Sequence, residues 1–196
     1  MSALLALEFV STLRMRRSGL ADALADAAGM TAWGREHATA LGVDPDSFTA
    51  TETLRAEVVE LRQAVRALFA RAVSPGPAST ADADLLPAFR PSLELVNATA
   101  MAVPVTPRLD WPADDVPVVH VVPAVPAGES ERIRAALAAS AMELLAGPYR
   151  EKLRTCPAPR CVLYFVKEHP RQEWCSVTCG NRARAARHYR QHSGSR

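Results

Sequence analysis

The sequence predicts an α+β protein with a predominantly α-helical body, a few short strands and a small cysteine-rich module at the C-terminal end. Several segments place apolar residues three and four positions apart, which is typical of amphipathic helices. One proline-rich segment contains runs of β-branched residues, and all four cysteines lie in the last quarter of the chain. We therefore expect a helical domain at residues 1–150 and a separate module at residues 151–196.

The first elements of the body are expected to be short. Residues 6–13 form an apolar opening that is compatible with a helix or a strand, and a basic turn at residues 14–19 follows it. The alanine-rich residues 20–37 have apolar side chains at near-helical spacing, which predicts a helix there.

The clearest helix is predicted at residues 51–73. Leucines and valines recur there at intervals of three and four residues, with charged residues between them. Residues 74–82 are rich in proline, glycine and serine and indicate a loop. Residues 85–99 predict another helix, which Pro87 and Pro91 would interrupt.

The rest of the body is predicted to contain a strand-forming segment followed by a helix. Residues 101–127 contain six prolines between short β-branched runs, which predicts one or two short edge strands. Residues 129–146 return to a helical pattern that ends at Gly147 and Pro148.

The cysteines form two short-spaced pairs, Cys156-x4-Cys161 and Cys175-x3-Cys179, separated by a spacer long enough for a hairpin. A structural Zn²⁺ takes four soft ligands at tetrahedral corners, and two such pairs supply two corners each. The alternatives are two disulfides or four unrelated thiols. The spacing predicts one structural Zn²⁺ held by these four thiolates.

The order of segments in the module predicts a treble-clef-like zinc finger. A tight knuckle is expected at residues 156–161, a strand at 162–166 and a return strand at 172–174. The second cysteine pair then lies at the start of a helix that runs to about residue 192, so the positive end of the helix dipole favours the thiolates.

Charge is distributed unevenly between the two parts. Residues 1–149 carry 12 Lys+Arg against 18 Asp+Glu, whereas residues 150–196 carry 11 against 3. A compact basic module on an acidic body indicates an anionic partner, and nucleic acid is the leading candidate.

Polar side chains with base-reading or phosphate-binding chemistry fall on one side of the last helix at 3.6 residues per turn. They are Asn181, Arg184, Arg187, His188 and Gln191. Arg182 lies around another side, where it could contact DNA or brace the neighbouring thiolate by a hydrogen bond. The alternative is a solvated helix face without a partner.

Other groups of residues give weaker evidence for a metal or catalytic site. His188 and His192 could complete a site with Cys175 and Cys179, but the interval is shorter than in two-cysteine, two-histidine fingers, and the first cysteine pair would have no role. No nucleophile elbow, P-loop or dinucleotide-binding glycine pattern is present, so we expect no enzyme.

A further candidate is a catalytic set of Asp114, Asp115 and His120. In such a segment, however, the acidic residues are usually exposed loop charges and the histidine is usually a packed side chain. The three tryptophans are expected to pack in the core or the knuckle. With no signal peptide and no long apolar run, we expect a soluble, cytoplasmic protein.

The sequence Cys179-Gly180-Asn181-Arg182 contains the four-residue signature of the CGNR zinc-finger family, which the module resembles. The opening residues 7–13 are similar to the Leu-Asp-Phe-Val-Asn-Thr start of the ABATE domain, with Ser11 where that family usually has asparagine. The resemblance covers about residues 4–192. It implies zinc in the finger and a bacterial, stress-related transcription regulator.

The combined expectation is a zinc-binding transcription regulator that binds DNA, in which the N-terminal domain senses a signal or mediates dimerisation. One alternative is a protein-docking module whose arginines meet an acidic surface. Another is a body that binds a small ligand while the finger is purely structural.

Overall fold

The computed structural model describes residues 4–16, 18–82 and 86–193, with backbone alone at residues 192 and 193. In this part of the chain the helices are α1 (Leu4–Val10), α2 (Ala27–Glu36), α3 (Ala38–Leu41), α4 (Glu52–Val73), α5 (Phe89–Met101), α6 (Glu129–Ala146) and α7 (Val177–Ser193). The strands are β1 (Leu13–Arg16), β2 (Gly19–Asp22), β3 (Val105–Asp110), β4 (Val118–Pro123), β5 (Leu153–Thr155) and β6 (Tyr164–Val166). They pair as three antiparallel hairpins, β1–β2, β3–β4 and β5–β6. The predicted α+β class with a predominantly helical body is confirmed.

Helix α4 lies at the centre of the body, where α1, α5 and α6 pack against it. Its start is fixed by Thr51, whose hydroxyl accepts a hydrogen bond from the Leu54 amide at 3.1 Å. The apolar side chains that predicted this helix are all buried: Leu54, Val58, Leu61, Val65 and Leu68. The helices predicted at 51–73 and 129–146 are thus confirmed.

Two arginines of α4 that the sequence pattern places among its polar residues are instead buried. Arg62 is 1% exposed and donates two hydrogen bonds of 2.6 Å to the carboxylate of Asp22. Arg66 is 0% exposed and donates from Nε to Asp82 at 2.5 Å and from Nη1 to the Val10 carbonyl at 2.7 Å. A guanidinium removed from water needs such partners, because an unpaired buried charge is strongly destabilising.

The N-terminal segment differs from the expectation. The apolar opening is helix α1, and the predicted basic turn is largely the β1–β2 hairpin, with Arg17 outside the described residues. Strand β2 occupies residues 19–22, so the helix predicted from residue 20 begins only at Ala27. Asp26 fixes that start, since its side chain accepts a hydrogen bond from the Gly29 amide at 2.7 Å.

Helix α5 also begins later than predicted, at Phe89 instead of residue 85, which lies outside the described residues. Pro91 does not interrupt it. The proline stands in the first turn, where a backbone N–H has no partner within the helix, so the missing donor costs nothing there.

The proline-rich segment contains two strands, in agreement with the one or two short strands expected there, and they pair with each other as the β3–β4 hairpin. Trp111 follows β3 and is 67% exposed, so the expectation that it packs in the core is wrong. Trp33 is buried in the body core, in agreement with the expectation. His120, expected to be packed, is exposed on β4.

In the C-terminal module, β6 pairs with β5, which precedes the first cysteine pair. The predicted return strand at residues 172–174 is not a strand. The reason lies in the body: Leu153 of β5 and Tyr164 of β6 belong to the same apolar core as helices α1, α4 and α6. The preceding strand is therefore held in place for β6 to pair with it.

Candidate metal centre

The first cysteine pair lies in the turn of the β5–β6 hairpin. The Cys156 amide donates to the Leu163 carbonyl at 3.0 Å, and the Cys161 amide donates to the Ala158 carbonyl at 3.0 Å. Arg160 adopts a positive φ of 59°, which closes the knuckle in front of Cys161. Two prolines in this turn restrict its backbone further. The sulfurs of Cys156 and Cys161 are therefore held on the same side of the turn.

The second pair brackets the start of α7. Cys175 precedes the helix and Cys179 lies in its first turn. The hydroxyl of Ser176 accepts a hydrogen bond from the Cys179 amide at 3.2 Å, which is the geometry of a helix N-cap. The amino end of α7, with its partial positive charge, is therefore directed at the thiols.

The four sulfur atoms converge. All lie within 4.8 Å of one another, with Cys175 Sγ at 3.8 Å from Cys161 Sγ and at 3.5 Å from Cys179 Sγ. A tetrahedral zinc ion with bonds of about 2.3 Å holds its sulfurs about 3.8 Å apart. The cysteines are free thiols at separations far longer than a disulfide bond. They are positioned to bind one structural Zn²⁺.

Electrostatics within the cluster also fit a cation. Hydrogen bonds from the Cys161 and Cys175 thiols lower the pKa of Cys156, because they stabilise its thiolate. The same contacts raise the pKa of Cys161 to about 11 and raise the pKa of Cys175, because each thiol gives its proton to a neighbour. Four adjacent thiolates repel one another, and Zn²⁺ supplies the charge that lets all four ionise.

Arg182 of the Cys-Gly-Asn-Arg signature is half-buried and is directed at the metal centre. Its Nη2 donates to Cys179 Sγ at 3.1 Å. A guanidinium beside the sulfurs offsets the net negative charge of a zinc ion bound by four thiolates, and it orients one ligand. This placement corresponds to the bracing role considered for Arg182.

A small apolar cluster surrounds the ligands, and Gly180 of the signature allows one of its side chains, Trp174, to pack close to α7. A side-chain carbon at Gly180 would lie 3.0 Å from Cε3 of Trp174, which is tighter than ordinary contact. The indole in turn lies beneath Arg184, whose guanidinium carbon is 5.5 Å from the ring centroid. Trp174 therefore packs in the knuckle, as expected.

The proposed nucleic-acid residues lie along the exposed side of α7. Asn181, Arg184, Arg187, His188 and Gln191 are all exposed. Nη2 of Arg184 donates to Asn181 Oδ1 at 2.6 Å, so these two side chains are held together. The helix carries four arginines and no acidic residue. Arg190, the fourth of these arginines, is also exposed, although it was not among the predicted nucleic-acid residues.

The structure does not support the alternative metal site that includes histidines or the alternative catalytic set in the proline-rich segment. Among the described residues, the group that could hold a metal ion is the four cysteines alone; the side chain of His192 lies outside that description. Asp115 accepts a hydrogen bond from the Val116 amide in the β3–β4 turn, and His120 is exposed opposite Arg108.

A buried polar network joins the metal module to the body. Ser79 Oγ donates to the Val162 carbonyl at 2.8 Å, and Arg66 Nη2 reaches the same carbonyl at 3.3 Å. The hydroxyl of Tyr164 donates to Asp82 at 2.6 Å. Sequence patterns gave no sign of this network, because its arginine and aspartate resemble ordinary surface charges.

No helix in the described ranges has the length and apolar character needed to cross a membrane.

Comparison with protein families gives two matches, in the order in which the body and the finger follow each other. Residues 4–148 match ABATE, whose description is "Putative stress-induced transcription regulator", and residues 152–192 match the CGNR zinc finger. A comparison with curated proteins gave no match. Because the first match covers well over half of the sequence, the chain belongs to the ABATE family, and a CGNR zinc finger follows the ABATE region.

Proposed function

We propose that the chain is a zinc-dependent regulator that binds DNA through the exposed side of α7, while its N-terminal domain senses a signal or mediates self-association. The observation that carries this proposal is the charge on the exposed side of α7, since Arg184, Arg187 and Arg190 are exposed and the helix has no acidic residue. The family description, a regulator of transcription, supports the same assignment.

The residues of this side have separate roles in the proposal. Arg184 and Arg187 neutralise phosphates, and His188 lies beside them on the helix. Asn181 and Gln191 have the amide groups that pair with adenine in the major groove. Arg182 contributes indirectly, because it holds Cys179 and so fixes the start of the helix.

The proposal includes self-association because one short finger covers less surface than specific DNA binding usually requires. It places the protein in a reducing bacterial cytoplasm, where thiols stay available to zinc. It assigns no catalytic step, since four cysteine ligands leave no coordination position for an activated water.

The salt dependence of binding to a random DNA duplex tests the role of α7. In zinc-loaded full-length protein, the double substitution of Arg184→Ala and Arg187→Ala should weaken binding and reduce the magnitude of the slope of log K against log salt by about 2, because each phosphate contact contributes about 0.9. Fluorescence anisotropy of a labelled duplex measures both quantities. Arg90→Ala, an exposed arginine at the start of α5, is the matched control and should change neither.

Site selection then tests base reading. Asn181→Ala should alter the selected sequence if the amide contacts a base, whereas the arginine variants should weaken all sequences alike. Tight, salt-dependent duplex binding that survives in the zinc-loaded double variant would exclude this side of α7. DNA would then bind elsewhere on the chain, and the protein-docking alternative would apply to this side of α7.

A further inference from the structure

The β3–β4 hairpin makes few contacts with the helices and is exposed on both faces. Residues opposite each other in an antiparallel pair lie on the same face of the sheet. One face therefore consists of apolar residues alone, in the pairs Val105/Pro123, Pro107/Val121 and Leu109/Val119. The other face is mixed, in the pairs Thr106/Val122, Arg108/His120 and Asp110/Val118.

The apolar face is not covered by the body. Its larger side chains expose more than half of their surface: 54% for Val105, 59% for Leu109, 61% for Val119 and 58% for Val121. Trp111, which directly follows β3, is also exposed, at 67%. A concentrated apolar patch of this kind marks an interaction surface, because water contact with it is unfavourable.

We propose that this apolar face, defined by the pairs Val105/Pro123, Pro107/Val121 and Leu109/Val119, is a dimerisation surface that packs against the same face of a second copy of the chain. A two-stranded hairpin is marginally stable by itself in water, and it gains stability once its apolar face is covered. Two such sheets pack face to face about 10 Å apart, as in a β-sandwich.

A second copy suits this face for two reasons. The face carries no charged side chain, so a two-fold axis through it brings no like charges together; the charged residues Arg108 and Asp110 lie on the opposite face. Prolines at 107 and 123 lack the N–H that strand pairing needs, which favours packing of faces over joining of edges.

The available area is also sufficient. The four aliphatic side chains offer roughly 80–100 Å² each, and the exposed Pro107 and Pro123 add to this area, so two copies bury on the order of 1,000 Å² in total, near the lower limit of specific interfaces. The inference rests on the self-association included in the proposed function. It is tested without DNA, so its failure is distinguishable from a failure of DNA binding.

Sedimentation velocity of the zinc-loaded full-length protein over a range of concentrations tests the proposal. The wild-type chain should sediment as a dimer of twice its 21.1 kDa mass. Val119→Glu should weaken the dimer at least tenfold, because each copy would bury a carboxylate against the other. Val121→Lys, on the same face, should do the same with the opposite charge.

Val118→Lys is the matched control for Val121→Lys, since it makes the same substitution on the opposite face, where Val118 is already 46% exposed and the ammonium group lies opposite Asp110. It should leave the dimer intact, and circular dichroism should show equal helix content in all variants. A wild-type chain that stays monomeric at about 100 μM would overturn the proposal, and so would equal weakening by Val118→Lys and Val121→Lys. A monomeric wild-type chain whose hairpin captures a different macromolecule would overturn it as well.

Discussion

Arg182 shows how one side chain outside the ligand set can determine the properties of a metal centre. Its hydrogen bond to Cys179 Sγ orients that ligand, and its positive charge offsets the net negative charge of a zinc ion bound by four thiolates. The sequence motif alone left open whether this arginine contacts DNA or the metal centre. The burial and the 3.1 Å contact favour the metal centre.

Arg182→Ala should therefore weaken zinc binding by about 10-fold or more, the usual effect of removing a group that orients a metal ligand. Competition with a chromophoric chelator measures the zinc affinity directly. Arg190→Ala is the control, because Arg190 lies exposed on the same helix and should leave zinc affinity unchanged. Equal zinc affinities for the two variants would contradict the bracing role.

Burial, and not residue type, separates the structural charges of the body from its surface charges. Arg66 and Asp82 are 0% and 3% exposed, whereas Glu52 and Arg55 form an ion pair at the surface. Asp82→Ala should lower the free energy of unfolding by about 3–5 kcal/mol, because it leaves the Arg66 guanidinium buried without its carboxylate. Glu52→Ala should cost about 1 kcal/mol or less. Urea denaturation of both variants measures the difference, and similar losses would contradict it.

At the level of secondary structure, prediction succeeded where local patterning is strong. Helix α4 repeats its apolar residues over 22 residues and begins at a capping threonine, so its position follows from the sequence. The β1–β2 hairpin was missed because its strands are only four residues long and β1 carries two arginines, and because the pairing depends on Gly19, which has a positive φ of 124° at the start of β2.

The zinc finger shows more clearly which features the sequence could not predict. The cysteine spacing identified the four ligands and the helix that carries Cys179. The partner of β6 could not be identified in the same way, because its selection depends on Leu153 reaching a core made by distant helices. Contacts between residues far apart in sequence leave no periodic pattern, so spacing and composition could not predict them.

At the scale of the whole molecule, the finger and the body are structurally continuous. Tyr164 packs edge-on against Phe69 with ring centroids 5.6 Å apart, and its hydroxyl binds Asp82. Leu153 and Tyr164 belong to the body core, whereas the cysteines and their neighbours form a second, smaller cluster. The β5–β6 hairpin is thus held from the body side and from the zinc side, but α7 depends on the zinc side.

Removal of zinc should therefore unfold the module in part. In full-length protein treated with a strong chelator, amides of α7 should lose their protection from hydrogen exchange, because four close thiols do not replace the metal. Amides of α4 should keep their protection, and those of β6 should keep most of it because Tyr164 and Val162 stay bound to the body. Mass spectrometry of exchanged peptides resolves the three segments, and a zinc-free Cys156→Ser variant should show no further change with chelator. If β6 lost protection together with α7, the contacts with the body would not hold the hairpin. If α7 kept its protection after complete loss of zinc, the helix would not depend on the metal.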